Sequence, residues 1–346
     1  MTGGDADTDR IRWSVQPLRR RGIDGFARGW TAAPGGDHYT ALLYGATLMS
    51  GLFFPAYRAG SHLLLRACGC RSFVFRVGEV RLRCWRAGPE DGEPWVMLHG
   101  LGSLAASWLA LLRALKSGCR IVIPELSWLG GSQVPDGALA VRDGVEVVTD
   151  LIERQFPGRP VTIAGNSLGG WVALRLVLER PDLVARLVLL GPGGYREQDW
   201  EHIEKLIRIS DLDGADRLIE AMFLRLPVSA RLLRHGFRAS FTSKAVTGAI
   251  NKMDEGDALT GEDLERIQVP TALIWGEHDG IFQIDVAERM AAALPRGILY
   301  RVGSAGHIVQ WESPKALLDA VADFRSRGFA APDLHKPGEV ISTQAP

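Results

Sequence analysis

A chain of 346 residues, 46% hydrophobic and 23% charged, can bury a full core and reads as globular rather than disordered. Lys+Arg and Asp+Glu both number 40, so there is no basic excess to neutralise a phosphate backbone, which argues against a nucleic-acid partner. Cys68, Cys70, Cys84 and Cys119 lack the second pair and the histidines of a zinc site; they read as reduced buried thiols, a single disulfide being the alternative.

Residues 1–38 are rich in Gly, Asp and Arg, include Arg19, Arg20 and Arg21, and lack the apolar core and cleavage site of a signal peptide, so a mobile segment is expected. From Tyr39 to Tyr57 the chain carries no charge (YTALLYGATLMSGLFFPAY), and as a helix this run would be about 28 Å long, close to a bilayer's hydrocarbon thickness. Gly45, Gly51, Pro55 and the hydroxyls of Thr40, Thr47 and Ser50 lower its hydropathy. Together with Leu63 to Leu65 it defines an apolar N-terminal helical segment over 39–71. The favoured reading is a helix on a membrane surface or at a substrate entrance, with a transmembrane anchor and a plain packing helix both open. The expected location is therefore cytoplasmic, or peripheral to a membrane through residues 39–57.

Ser72 to Gly78 and Val80 to Trp85 roughly alternate apolar with polar side chains, the period-2 pattern of a half-exposed hairpin. Trp95 to Leu98, Ile121 to Ile123, Val161 to Ala164, Leu187 to Leu190, Thr271 to Trp275 and Ile298 to Val302 are short, mostly apolar runs, as expected of parallel strands buried on both faces. Helical patterns separate them at Ser107–Lys116, Ala138–Gln155, Gly170–Glu179, Val286–Leu294 and Pro314–Arg327, giving the βαβ rhythm of a doubly wound sheet. Eight strands result, with a core over 72–194 and 264–328 and a C-terminal tail over 329–346. Residues 195–263 break the rhythm with helical patterns only, and predict an inserted helical cap above the carboxyl ends of the strands. Its Met222, Phe223, Leu224 and Leu226 could line a pocket or merely pack the cap onto the core.

The chemistry begins at Gly165-Asn166-Ser167-Leu168-Gly169-Gly170, directly after the strand VTIA and before a helix. A sharp turn there lifts a serine hydroxyl above the sheet, and the flanking glycines avoid a Cβ clash. A serine hydroxyl is a weak nucleophile and needs a base held in one tautomer by a third group. Asp279 lies in the loop after the strand TALIW, and His307 lies in the glycine-rich loop after ILYRV, so Ser167, Asp279 and His307 are the expected catalytic residues in that chain order. Asp279 is preferred to Glu277 because it lies further past the strand end. His99-Gly100-Leu101-Gly102-Ser103, after the strand WVML, predicts an oxyanion hole from the N–H groups of Leu101 and Leu168, with His99 holding the loop.

The segments LHGLGS, GNSLGGWVALRLVLERPDLVARLVLLGPGG, VPTALIWGEHD and AGHIVQWESP, in this order, resemble the α/β-hydrolase superfamily over about residues 72–328. The apolar N-terminal segment, the cap and the INKMDE stretch look most like monoacylglycerol lipases and related bacterial lipases and esterases. That resemblance implies the α/β-hydrolase fold, a mostly parallel eight-stranded sheet with helices on both faces and an inserted cap. It also implies hydrolysis of medium- or long-chain acyl esters through an acyl-enzyme, membrane association, and no cofactor or metal. Carbon–carbon bond hydrolases, thioesterases and non-catalytic binding members of the fold remain alternatives. The stretch Glu125 to Ser132 departs from the family's usual Asp and Pro-Gly-His-Gly, with the bulky Trp128 in the turn.

Overall fold

The computed structural model describes residues 55–126, 131–134, 139–225, 230–327 and 338–343. The expected mobile segment 1–38, most of the uncharged run 39–57, Trp128 and Leu226 lie outside the described residues. Residues 55–67 form α1, which buries Ser61 and Leu65 and leaves Leu63 and Leu64 exposed. Among the described residues no helix is long and apolar enough to cross a membrane.

The expected hairpin is β1 (Arg71–Val77) and β2 (Val80–Ala87), closed by a two-residue turn in which Gly78 takes φ +53°. The buried runs become β3 (Glu93–Leu98), β4 (Cys119–Pro124), β5 (Val161–Asn166), β6 (Val184–Leu190), β7 (Thr271–Gly276) and β8 (Gly297–Val302). The sheet order is β1-β2-β4-β3-β5-β6-β7-β8, extended by a ninth strand, β9 (Glu339–Thr343). Strands β3 to β9 are parallel to one another, while β2 runs antiparallel to β1 and β4.

The ninth strand corrects the expected count of eight and the reading of 329–346 as tail alone. Its residues pair with β8 from Ile298↔Glu339 to Val302↔Thr343. Only Ile341 leans on the core and Val340 is 47% exposed, so main-chain pairing, which leaves no apolar signature, defines this edge strand.

Helices cover both faces. Helix α2 (Leu109–Leu115) and α12 (Pro314–Ser326) pack on one side, and α3 (Val141–Gln155), α4 (Leu168–Glu179) and α10 (Ile284–Ala293) on the other. The sheet divides its side chains with period 2: Val96 and Leu98 of β3 face α3 and α4, whereas Trp95 and Met97 face α2 and α12. All four cysteines are free and buried.

Between β6 and β7 the chain inserts α5 (Trp200–Ile207), α6 (Leu212–Met222), α7 (Ala230–Phe241), α8 (Lys244–Asn251) and the short α9 (Gly261–Glu265). Asp199, Asp211 and Ser243 cap α5, α6 and α8 by accepting N–H bonds from His202, Gly214 and Val246. The ends of the insertion meet, because Leu259 N–H donates to Gly194 O at 2.7 Å and Arg196 N–H to Leu259 O at 2.8 Å. A short α11 (Val309–Glu312) precedes α12.

Candidate active site

Parallel strands deliver their carboxyl ends to one edge of the sheet, and Ser167, Asp279 and His307 follow β5, β7 and β8 at that edge. Ser167 has φ 52° and ψ −117°, and it is the one non-glycine residue with positive φ among the described residues. Such backbone is strained for an L-residue and persists only when its surroundings fix it. Here Ser167 N–H donates to Leu190 O at 3.0 Å, and Ser167 O accepts from Gly170, Trp171 and Gly193 N–H at 2.9–3.1 Å.

The elbow requires its glycines. A Cβ on Gly169 would lie 2.3 Å from Leu98 O, and one on Gly165 would lie 2.7 Å from Gly169 O. Both obstacles are backbone and cannot rotate away, so Gly169→Ala is expected to destabilise the fold by about 2–3 kcal/mol, read as a lower urea midpoint.

His307 Nδ1–H donates to Asp279 Oδ2 at 2.7 Å, with both side chains almost wholly buried (3% and 1% exposed). The other oxygen, Asp279 Oδ1, accepts N–H bonds from Ile281 and Phe282, both at 2.9 Å. These three bonds orient the carboxylate and leave Nε2 of the imidazole to accept a proton. The edge of Phe282 stands against the imidazole, ring centroids 5.2 Å apart. Glu277, the other acid considered, instead pairs with Arg301 at 2.9 Å, and His278 is exposed.

The insertion holds the loops that carry this pair, twice through main chain and once through a histidine side chain. His307 N–H donates to Met222 O at 2.8 Å, Gly280 N–H donates to Ala221 O at 2.9 Å, and His202 Nε2–H donates to Gly280 O at 2.9 Å. Glu312 contributes from below, accepting Gly306 N–H at 2.7 Å and Arg225 N–H at 3.0 Å. Neither Glu312 nor Gln310 carries a motif of its own; their place on the short α11 (Val309–Glu312), just after His307, is the one sequence signal for them.

Leu101 and Leu168 line the same cavity as Ser167 and His307. Leu168 opens α4, where a backbone N–H lacks an intrahelical acceptor and the dipole is positive. Leu101 stands in the turn closed by Ser103 N–H to Gly100 O at 3.2 Å. His99 braces that turn: Nδ1–H donates to Gly100 O at 2.9 Å, while Nε2 accepts Leu126 N–H at 3.1 Å. Accepting at Nε2 needs the neutral ring, and burial holds its pKa down at about 4.

Glu125, which in the sequence only opens the stretch that departs from the family pattern, is wholly buried. It accepts Ala105 N–H at 3.1 Å and the Trp85 indole N–H at 3.2 Å, so it ties the segment after the turn to β2. Burial, partly offset by those two donors and by the Arg83 charge, pushes its pKa up to about 7. The unfolded chain therefore releases this proton at lower pH than the folded one, and stability falls as pH rises from about 4.5 to about 7. Urea unfolding at pH 5 and pH 8 is expected to lose about 2–3 kcal/mol more in the wild type than in Glu125→Gln over this interval.

The cavity is lined mainly by apolar side chains, among them Trp171, Trp200, Met222, Phe237 and Phe282. Of the insertion residues named from the sequence, Met222 lines it, whereas Phe223 packs with Ile219 and Ile308 instead. Tyr57 of α1 also reaches the wall, so the N-terminal helix contributes to the cavity.

Comparison with known proteins bears on the family and the fold. The sequence model of the alpha/beta hydrolase family matches residues 95–320. A 2-hydroxy-6-oxononadienedioate/2-hydroxy-6-oxononatrienedioate hydrolase of Cupriavidus pinatubonensis is 28% identical over 272 residues, 71% of this chain and 91% of the relative. Among solved structures, a bacterial membrane phospholipase A superposes with a TM-score of 0.69 at 21% identity, covering 85% of this chain and 97% of its own. Carboxylesterase CesB of Bacillus subtilis gives a TM-score of 0.67 at 22% identity, covering 81% and 99%. At these identities the structural likeness speaks for the fold.

Proposed function

Because the chain belongs to the alpha/beta hydrolase family and is a hydrolase, we propose that it is a serine esterase for neutral, medium- or long-chain acyl esters. The observation that carries the finer reading is the wall of the cavity: among its described lining residues there is no lysine or arginine. The relative from Cupriavidus pinatubonensis is named for a dienedioate, a molecule with two carboxylates. Two anions in this apolar cavity would be desolvated without a cationic partner, at a cost of several kcal/mol each. An alkyl chain gains on the order of 0.8 kcal/mol for every methylene it buries there.

In this reading Ser167 Oγ attacks the ester carbonyl while His307 Nε2 takes its proton, and Asp279 holds the imidazole and stabilises the imidazolium. Leu101 and Leu168 N–H receive the oxyanion. The C–O bond to the alcohol breaks as His307 returns the proton to the leaving oxygen. Water, deprotonated by His307, then releases the acid and regenerates Ser167. The helical insertion serves as the cap over the acyl chain.

A series of p-nitrophenyl esters tests the reading: kcat/KM is expected to rise from acetyl to octanoyl or longer. Fastest turnover at acetyl, or turnover of a vinylogous diketone dianion in place of esters, would favour the carbon–carbon hydrolase alternative to which the sequence relatives point.

A further inference from the structure

Residues 55–87, which form α1, β1 and β2, hold seven arginines against a single acid, Glu79, in a chain whose positive and negative residues balance at 40 each. Among the described residues none of the seven stands in an ion pair, whereas Arg120, Arg154, Arg180 and Arg327 elsewhere each hold a carboxylate at 2.6–2.9 Å. The register of the hairpin sets these charges in rows. Arg76 lies directly opposite Arg81, and Val74 opposite Arg83. Like charges in such positions repel and cost stability.

The row belongs to the face of the sheet that α1 covers. Trp85 alternates onto the same face of β2 as Arg81 and Arg83, packs in one cluster with Leu65 of α1, and meets the ring of His62 at 5.0 Å. The other like-charge pair, Arg71 with Arg86, is turned to the opposite face, where Arg86 lies 5.9 Å from the Phe73 ring. Helix α1 itself turns Ser61 and Leu65 inward and leaves Leu63, Leu64 and Arg66 in solvent. Leu63, Leu64 and Val74 are 69%, 55% and 51% exposed, and they are three of the five large hydrophobic side chains that the described residues expose.

Protection of the sheet edge would account for charge on β1, the outermost strand, but not for Arg81 on β2 or for bare leucines nearby. Residues 1–54 offer no counter-charge, since they hold six arginines and five aspartates. The occupant must be anionic at its surface and apolar beneath. The uncharged run Tyr39–Tyr57, which leads directly into α1, suits the same surroundings. We propose that this face docks on a lipid bilayer with anionic headgroups, Arg66, Arg76 and Arg81 binding lipid phosphates while Leu63, Leu64 and Val74 enter the acyl boundary. A purely apolar anchor would take neutral and anionic lipid alike; this face discriminates between them. Binding needs no turnover, so the proposal stands independently of the esterase reading.

The test sediments full-length protein with sucrose-loaded vesicles of phosphatidylcholine alone, or with about 30% phosphatidylglycerol, in about 0.1 M salt. The wild type is expected to bind the anionic vesicles at least about tenfold more tightly, an advantage lost in about 0.5 M salt. Arg76→Glu/Arg81→Glu is expected to lose that advantage and keep its affinity for the neutral vesicles. Its thermal midpoint reports folding, and Arg76→Gln/Arg81→Gln, which only removes the charges, replaces it if reversal unfolds the protein. Lys205→Glu/Arg208→Glu, exposed on α5, changes net charge equally and is expected to bind like the wild type. Equal affinity of the wild type for both vesicles, wild-type behaviour of the hairpin variants, or an equal loss in the α5 variant overturns the proposal. Retention on heparin without vesicle binding overturns it too, in favour of a soluble polyanion.

Discussion

Replacing Ser167 by alanine is expected to abolish fluorophosphonate labelling and to lower esterase kcat/KM by at least about 10⁴-fold, because in the proposed mechanism the acyl-enzyme forms on its hydroxyl. The backbone offers an internal control. Ser167 holds φ 52° and ψ −117° whatever its side chain does, and a glycine adopts such angles without the steric cost that a Cβ incurs. Ser167→Gly is therefore expected to be as inactive as the alanine variant but more stable than it, by about 1 kcal/mol in urea unfolding. Loss of activity with a gain in stability is the signature of strain held for function. Labelling of the alanine variant at the wild-type rate would sink the assignment.

The second large effect concerns Asp279. Asparagine has the same shape, and its Oδ1 can keep the Ile281 and Phe282 N–H bonds that now orient the carboxylate. Its NH₂, however, would face His307 Nδ1 across the present 2.7 Å contact and donate to it. The ring must then carry its proton on Nε2, the atom that accepts the proton of Ser167 in the proposed mechanism. Asp279→Asn is thus expected to lower kcat at neutral pH by about 10³–10⁴-fold with an unchanged thermal midpoint. A fall of less than about tenfold would mean that another acid, or none, sets the tautomer.

Much of this site was readable in the sequence because its residues sit where local patterns change. Ser167 follows a wholly buried strand and stands just before a helix, and Asp279 and His307 each follow a buried strand into a loop. Those signals are local, and so a single chain shows them. Glu125 was legible as a residue but not as a brace, since its partners Trp85 and Ala105 are 40 and 20 positions away. The bond that Gln310 donates to Asn166 spans 144 positions and no periodicity encodes it. β9 was missed for a different reason: an edge strand paired through its backbone needs only one apolar side chain, here Ile341, to anchor it.

The bonds from Ala221 O to Gly280 N–H and from Met222 O to His307 N–H carry a lesson for recombination between relatives. The last turn of α6 is bonded to the loops that bear Asp279 and His307, the proposed acid and base, although the chain reaches it only after leaving the sheet. A chimera that exchanges the whole insertion at the Gly194–Leu259 neck would import a foreign backbone at this seam and shift the imidazole with it. Cutting instead just after Met222 and rejoining before β7 transplants α7 and α8, with Phe237 and Phe241, and keeps the host's own seam. The unit that can be exchanged to change substrate is therefore smaller than the unit that was inserted.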